Sequence, residues 1–291
     1  MTDALVLIDP SASSLELADL GSAQLPVDDL SAHRGDGIFE TVLVRVDEPS
    51  GDAVVVARDR HFARFRDSAS ALDLPDPDPA LWNRALDTVI AEVRAQDPES
   101  REFGVRYTFS RGLDSPRGWA FGVPIGEAVL RARAEGISAI SLDRGYDAYL
   151  GGKAPWLLIG AKTISYAINQ AAGRYAAERG ADEALFVSHD GIVLEGPTSN
   201  LIIRRGDRLL TPDPAAGLLW GTTQRLIFDH AGELGLGADY ADLRLDDIRT
   251  ADGAWFVSSM RTAVALTSLD GAPISRDDAL TRALQQIIGT G

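Results

Sequence analysis

Several short stretches alternate apolar and polar positions, a pattern that predicts strands. Ala4–Asp9 reads as one. Gly37–Val46, through Phe39, Val42 and Val44, reads as a second, and Ala53–Ala57 follows as its hairpin partner across a Gly51-Asp52 turn. Helical spacing then takes over. Phe62, Phe65, Ala69 and Leu72 share a face within His61–Leu72, and Leu81, Ala85, Val89 and Val93 share one in a second helix. Between them, Pro75, Pro77 and Pro79 force a loop. Gly104–Ser110 predicts a further strand and Arg111–Arg117 a loop, which together complete an α+β unit over 1–124. Residues 125–136 form the best candidate linker. A larger unit follows over 137–291, with a strand at Ile137–Leu142 and a strand-like apolar run at Trp156–Ala161. Next come a helix from about Ser165 to Arg179, closed by Gly180, and a hairpin of Glu183–Val187 with Ile192–Leu194. A second strand pair, Asn200–Arg204 and Arg208–Leu210, precedes a helix from Thr223 to Leu234, a strand at Trp255–Ser258 and a last helix. The fold class expected is α/β (α+β), in two domains.

Charge and composition narrow the field. The chain has 291 residues and a formal charge of −15, which argues against nucleic acid or an anionic membrane as partner, since both need a basic face. There is no cysteine, so disulfides, thiolate metal sites and a cysteine nucleophile are excluded. No apolar run reaches roughly 18 residues, and no leader is visible from Met1 onward, so a cytoplasmic protein is expected. The four histidines, at 33, 61, 189 and 230, lack metal-ligand spacing, and no metal is expected.

Lysine is the informative residue. Only Lys153 and Lys162 occur; every other basic side chain is arginine. Arginine keeps its proton, whereas lysine can serve as a base or form a Schiff base. Lys153 sits in a Gly-rich stretch and reads as exposed. Lys162, between an apolar run and a helix, is the candidate for chemistry. Glu195 ends a hairpin strand just before Gly196-Pro197-Thr198-Ser199-Asn200, a setting that suits a planar ligand or simply a solvated turn. Gly221-Thr222-Thr223 opens a helix and suits either an anion or plain capping. The arginines at 58, 60, 64 and 66 read as a solvated helix face from which Arg60 or Arg64 could turn inward. Asp182-Glu183 reads as a structural acid pair.

In order, Gly35-Asp36-Gly37-Ile38-Phe39-Glu40, His61-Phe62-Ala63-Arg64, Ser110-Arg111-Gly112, Arg117-Gly118, Lys162, Asp182 to Leu185, Glu195-Gly196, Ser199-Asn200 and Gly221-Thr222-Thr223 span most of the chain. This ordered set resembles the fold-type IV pyridoxal-phosphate enzymes: branched-chain and D-amino-acid aminotransferases and 4-amino-4-deoxychorismate lyase. The resemblance implies a small N-terminal domain, a larger domain built around a barrel-like sheet, pyridoxal 5′-phosphate as cofactor, and a homodimer. It also implies roles. Lys162 would carry the cofactor and shuttle a proton, and Glu195 would pair with its ring nitrogen. Arg64, Thr222 and Thr223 would bind its phosphate, and Ser199 and Asn200 would line its ring. Phe39, Arg117 and Trp119 would meet the substrate, with Arg117 on its carboxylate. The D-amino-acid enzymes carry Tyr in place of Phe39 and His in place of Trp119. Phe39 with Arg117-Gly118-Trp119 is closer to the lyases, which implies release of 4-aminobenzoate and pyruvate. Amino transfer from D-amino acids, branched-chain amino acids or amines is the alternative.

Overall fold

The computed structural model describes residues 3–47 and 50–290, so the reading at Met1 and Thr2 lies outside the described residues. The fold is mixed α/β, and the chain divides into two compact units. One comprises residues 1–126 and 161–166, the other 127–160 and 167–291.

The first unit contains β1 (Ala4–Asp9), β2 (Ser14–Asp19), α1 (Leu30–Arg34), β3 (Gly37–Val46), β4 (Ala53–Val55), α2 (Arg58–Ala71), α3 (Pro79–Gln96), β5 (Glu102–Ser110) and β6 (Arg117–Pro124). Its antiparallel sheet runs β2-β1-β6-β5-β3-β4. Side chains alternate faces along a strand, so Phe39 and Glu40 point to opposite sides. The Glu40 side packs under α2 and α3. There Phe65 meets Trp82 at 4.8 Å and Tyr107 at 4.9 Å, both edge to face. Such pairs contribute about 0.5–1.5 kcal/mol each beyond their buried area. Gly118 is required on this side because a Cβ there would run into the Trp82 indole. β6, missed by periodicity, carries its glycines toward this packed face, which blurs the alternation.

The second unit contains α4 (Glu127–Glu135), β7 (Ile137–Asp143), α5 (Ala167–Ala177), β8 (Glu183–Val187), β9 (Asn200–Arg205), β10 (Arg208–Pro212), α6 (Thr222–His230), β11 (Gly237–Ala241), α7 (Leu245–Arg249), β12 (Gly253–Ser258), β13 (Thr262–Leu269), β14 (Ala272–Pro273) and α8 (Asp278–Thr290). The stretch read as a linker thus holds α4. Strand order is β11-β10-β9-β12-β13-β7-β8. Ile192–Leu194 forms no full strand, yet Val193 bridges Val187 and donates its N–H to Leu243 O at 2.7 Å, linking the two ends of the sheet. Leu185, Val193, Leu201, Ile203, Phe256, Val264 and Leu266 fill the apolar interior of this barrel-like sheet. Asp182 accepts from the Ser138 N–H and hydroxyl, and buried Glu183 pairs with Arg261, so this acid pair is structural.

A further expectation is corrected. Trp156–Ala161 is not strand-like. Pro155–Leu157 forms a 3-10 turn, and Leu158 and Gly160 adopt positive φ, which breaks extension. Trp156 is 75% exposed.

Candidate active site

In the first unit, Lys162 lies in an extended segment alongside β3. Phe39 N–H donates to Lys162 O at 3.0 Å, Ile164 N–H donates to Gly37 O at 2.9 Å, and Ile38 bridges Thr163. The Lys162 N–H donates to Ser68 Oγ on α2 at 3.0 Å. The amine is therefore mounted on a sheet edge and tied to a helix. Its Nζ lies 4.3 Å from the Phe39 ring centroid and 3.4 Å from the Tyr166 hydroxyl, while Phe39 and Tyr166 pack edge to face at 5.2 Å. A ring face attracts a cation.

Phe39, Thr108 and Trp119 form one cross-strand row, with Gly37, Ser110 and Arg117 in the row two residues away. All of these share the face opposite the aromatic core. Three expected substrate residues, Phe39, Arg117 and Trp119, therefore stand on one face. Arg117 Nε lies 3.1 Å from Asp29 Oδ2.

On the other face, Glu40 is fully buried. Arg64 donates from Nε to Oε1 at 2.7 Å and from Nη2 to Oε2 at 2.8 Å, and His61 Nδ1 donates to Oε2 at 2.7 Å. Burial alone would push the Glu40 carboxyl up, but the charge of Arg64 and the hydrogen bonds from Arg64 and His61 hold it far below the usual range. Burial opposes the Arg64 charge too, yet Glu40 raises its pKa further. Burial, aided by repulsion from Arg64 and Lys162, pulls His61 below its ordinary value despite Glu40. Arg64 is thus a fixed buried cation. His61 is the residue buried with it, one helical turn earlier on α2, while Arg60 is only partly buried. The histidine–arginine spacing of three was the available signal for this network. Tyr166, four residues past Lys162, was also missed.

In the second unit, the turn from Glu195 is closed by Gly196 N–H on Ser199 O at 2.8 Å and braced by Asn169 on Pro197 O at 2.6 Å. Glu195 Oε2 accepts from Asn200 Nδ2 at 3.0 Å and Oε1 from the Leu219 N–H at 3.1 Å, donors that favour the anion. Asn200 also donates to Leu219 O at 2.8 Å, which fixes its amide. The carboxylate, Asn200 and the segment leading into α6 are therefore one assembly. α6 begins at Gly221 without a side-chain cap, and Thr222 and Thr223 are buried in its first turn. A Cβ on Gly221 would overlap the Asn200 amide oxygen, and one on Gly196 would sit 2.9 Å from Ser199 Oγ. That Ser199 hydroxyl is buried, with no hydrogen-bond partner among the described residues. An unpartnered buried hydroxyl, an oriented carboxylate and a helix start without a side-chain cap fit a planar, phosphate-bearing pyridinium. Among the described residues, no cluster of acidic or histidine side chains suits a metal, and no helix is long and apolar enough to cross a membrane.

A family model described as amino-transferase class IV matches residues 37–269. A bifunctional aminodeoxychorismate lyase / D-amino acid transaminase of Mycobacterium tuberculosis is 42% identical over 271 residues, covering 90% of this chain and 91% of that protein. A solved structure described as a hypothetical aminotransferase from Mycobacterium tuberculosis, with alpha-ketoglutarate and PMP bound, superposes with a TM-score of 0.89 at 38% identity, covering 98% of each chain. The fold IV-transaminase CpuTA1 of Curtobacterium pusillum superposes with a TM-score of 0.90 at 39% identity, covering 98% of this chain and 99% of that one.

Proposed function

The chain belongs to the class IV amino-transferase family, and from that premise we propose a pyridoxal-phosphate-dependent enzyme that converts 4-amino-4-deoxychorismate to 4-aminobenzoate and pyruvate. Amino transfer from D-amino acids is the second reading, favoured by the 42% identical relative whose name carries both activities. The observation that carries the lyase reading is the shared sheet face of Phe39, Arg117 and Trp119.

Pyridoxal phosphate, when bound, supplies an aldehyde for the substrate amine and a ring that accepts an electron pair. In this reading Lys162 is the amine that holds the cofactor. Its Nζ would take the proton from the ring carbon bearing the amino group. The electron pair left on that carbon would form the last double bond of the ring as the bond to the enolpyruvyl oxygen breaks, leaving the ring aromatic, and the departing enolate would take up a proton to become pyruvate. Glu195, oriented by Asn200 and the Leu219 N–H, would keep the cofactor nitrogen protonated. Arg64 is read as a phosphate-binding residue, as is the first turn of α6 at Thr222 and Thr223, and Ser199 and Asn200 would line the ring. Arg117 receives a substrate carboxylate through its planar fork, while Phe39 and Trp119 shape the pocket and keep water away. The enzyme is read as a cytoplasmic homodimer. The exposed Trp156 and Ile168 of the second unit supply apolar surface for such a contact.

The test is direct. The purified enzyme with aminodeoxychorismate is expected to release 4-aminobenzoate. Rapid glutamate formation from D-alanine and 2-oxoglutarate, with no 4-aminobenzoate, reverses the order of the two readings. Borohydride reduction is expected to fix the cofactor on the peptide carrying Lys162. A reducible adduct that survives in Lys162→Ala removes the assignment.

A further inference from the structure

We propose that Asp29 is a positioning residue that fixes the Arg117 guanidinium to receive a substrate carboxylate; the proposal rests on the reading of Arg117 given above. Asp29 precedes α1 and accepts the Ser31 N–H at 2.9 Å, as an N-cap does. A capping role alone does not account for its setting. Caps are ordinarily solvated, yet Asp29 is 1% exposed. Its Oδ1 also accepts the hydroxyls of Ser31 at 2.5 Å and Ser110 at 2.9 Å. Oδ2 faces Arg117 Nε at 3.1 Å, and both atoms are buried and make no aligned hydrogen bond to any described residue. The ion pair is therefore each atom's principal partner. Burial works against the Asp29 charge, but Ser31, Ser110 and Arg117 hold its carboxyl below the ordinary value, so the anion persists.

Ser110 extends the device. Its Oγ accepts the Gly112 N–H at 3.0 Å while donating to Asp29. Gly112 has φ +67°, and a Cβ there would overlap Ser115 O. One buried carboxylate thus ties the start of the 111–116 loop to the arginine at its end. The Arg117 side chain remains one-third exposed although its Nε is buried, so the anchored end is inside and accessible surface lies elsewhere along the side chain. A guanidinium held at one edge loses little freedom when another edge meets a carboxylate.

The experiment uses the full chain loaded with pyridoxal phosphate and two readouts. The first is the Kd of benzoate, a carboxylate without an amine. The second is the ratio of KM for D-alanine to KM for D-alaninamide, which lacks the charge. Asn caps as well as Asp, so Asp29→Asn preserves the α1 start and removes only the anion. It is expected to weaken benzoate and raise the KM ratio by roughly tenfold each, the scale of one charged hydrogen bond. Arg117→Ala is expected to do the same or more. If Arg117→Ala weakens benzoate while Asp29→Asn binds it like the parent, the positioning role is overturned. If Arg117→Ala leaves benzoate unchanged, the reading of Arg117 fails and the proposal falls with it. Should Asp29→Asn not fold, Ser110→Ala removes one donor from Asp29 and leaves its charge. It is expected to weaken benzoate about threefold, and an unchanged Kd overturns the proposal.

Discussion

Glu40→Gln offers a demanding test of the buried network beneath the sheet. Glu40 is fully buried and takes two hydrogen bonds from Arg64 and one from His61, all within 2.8 Å. Glutamine keeps the shape but presents an NH2 group to one of these donors. His61 can accommodate this by switching tautomer, since burial already favours its neutral form. Arg64 cannot, because it stays charged and has only donors. In the cofactor-free protein the cost therefore falls on a buried guanidinium that loses the charge of Glu40, about 3–5 kcal/mol. At about 2–4 °C per kcal/mol, the melting temperature should drop by roughly 6–20 °C. Thermal unfolding followed by far-UV circular dichroism at pH 7.5 measures it. A melt within about 1 °C of the parent refutes the reasoning. Replacing both partners, Glu40→Leu with Arg64→Met, should be less damaging than Glu40→Leu alone, because no charge is then left buried.

Acid should expose the same network in two stages. His61 is depressed below its ordinary 6.5 and Glu40 below its ordinary 4.5, so both folded groups bind fewer protons than the unfolded chain does. Their stabilisation is present above those values and is lost as pH falls through them. Melting temperature should therefore decline from about pH 6.5 downward and more steeply below about 4.5, and His61→Gln should abolish the first stage; a flat profile in the parent contradicts this. Gly221→Ala should displace Asn200 and with it the orientation of Glu195, weakening pyridoxal phosphate by roughly tenfold or more by equilibrium dialysis. Gly126→Ala, where a Cβ meets nothing within 4 Å, serves as its control. Glu195→Gln should retain the bound cofactor, read from its absorbance, yet lower kcat about a hundredfold; an unaffected rate removes Glu195 from its role.

Much of the scaffold was legible because it rests on local rules. β1, β3, β5, α2 and α3 lie within a few residues of where periodicity puts them, since alternation and helical spacing are properties of neighbouring residues. Lys162 stood out through scarcity alone, in a chain that uses arginine wherever only charge is needed. The orientation of Phe39 and Glu40 to opposite faces was also implicit, for adjacent strand residues cannot share one. β13 was not legible. Its first five residues, from Thr262 to Leu266, are all buried, and a strand covered on both sides loses its alternation. The same limit applies to the site. Nothing in local spacing says that Lys162 docks beside Phe39, that Asp29 meets Arg117, or that Glu195 is held by the segment leading into α6. Those partners are chosen where a buried charge or an unpaired N–H would otherwise go unsatisfied. That choice depends on which distant segments the folded chain brings within a few ångströms, so only the tertiary structure makes it.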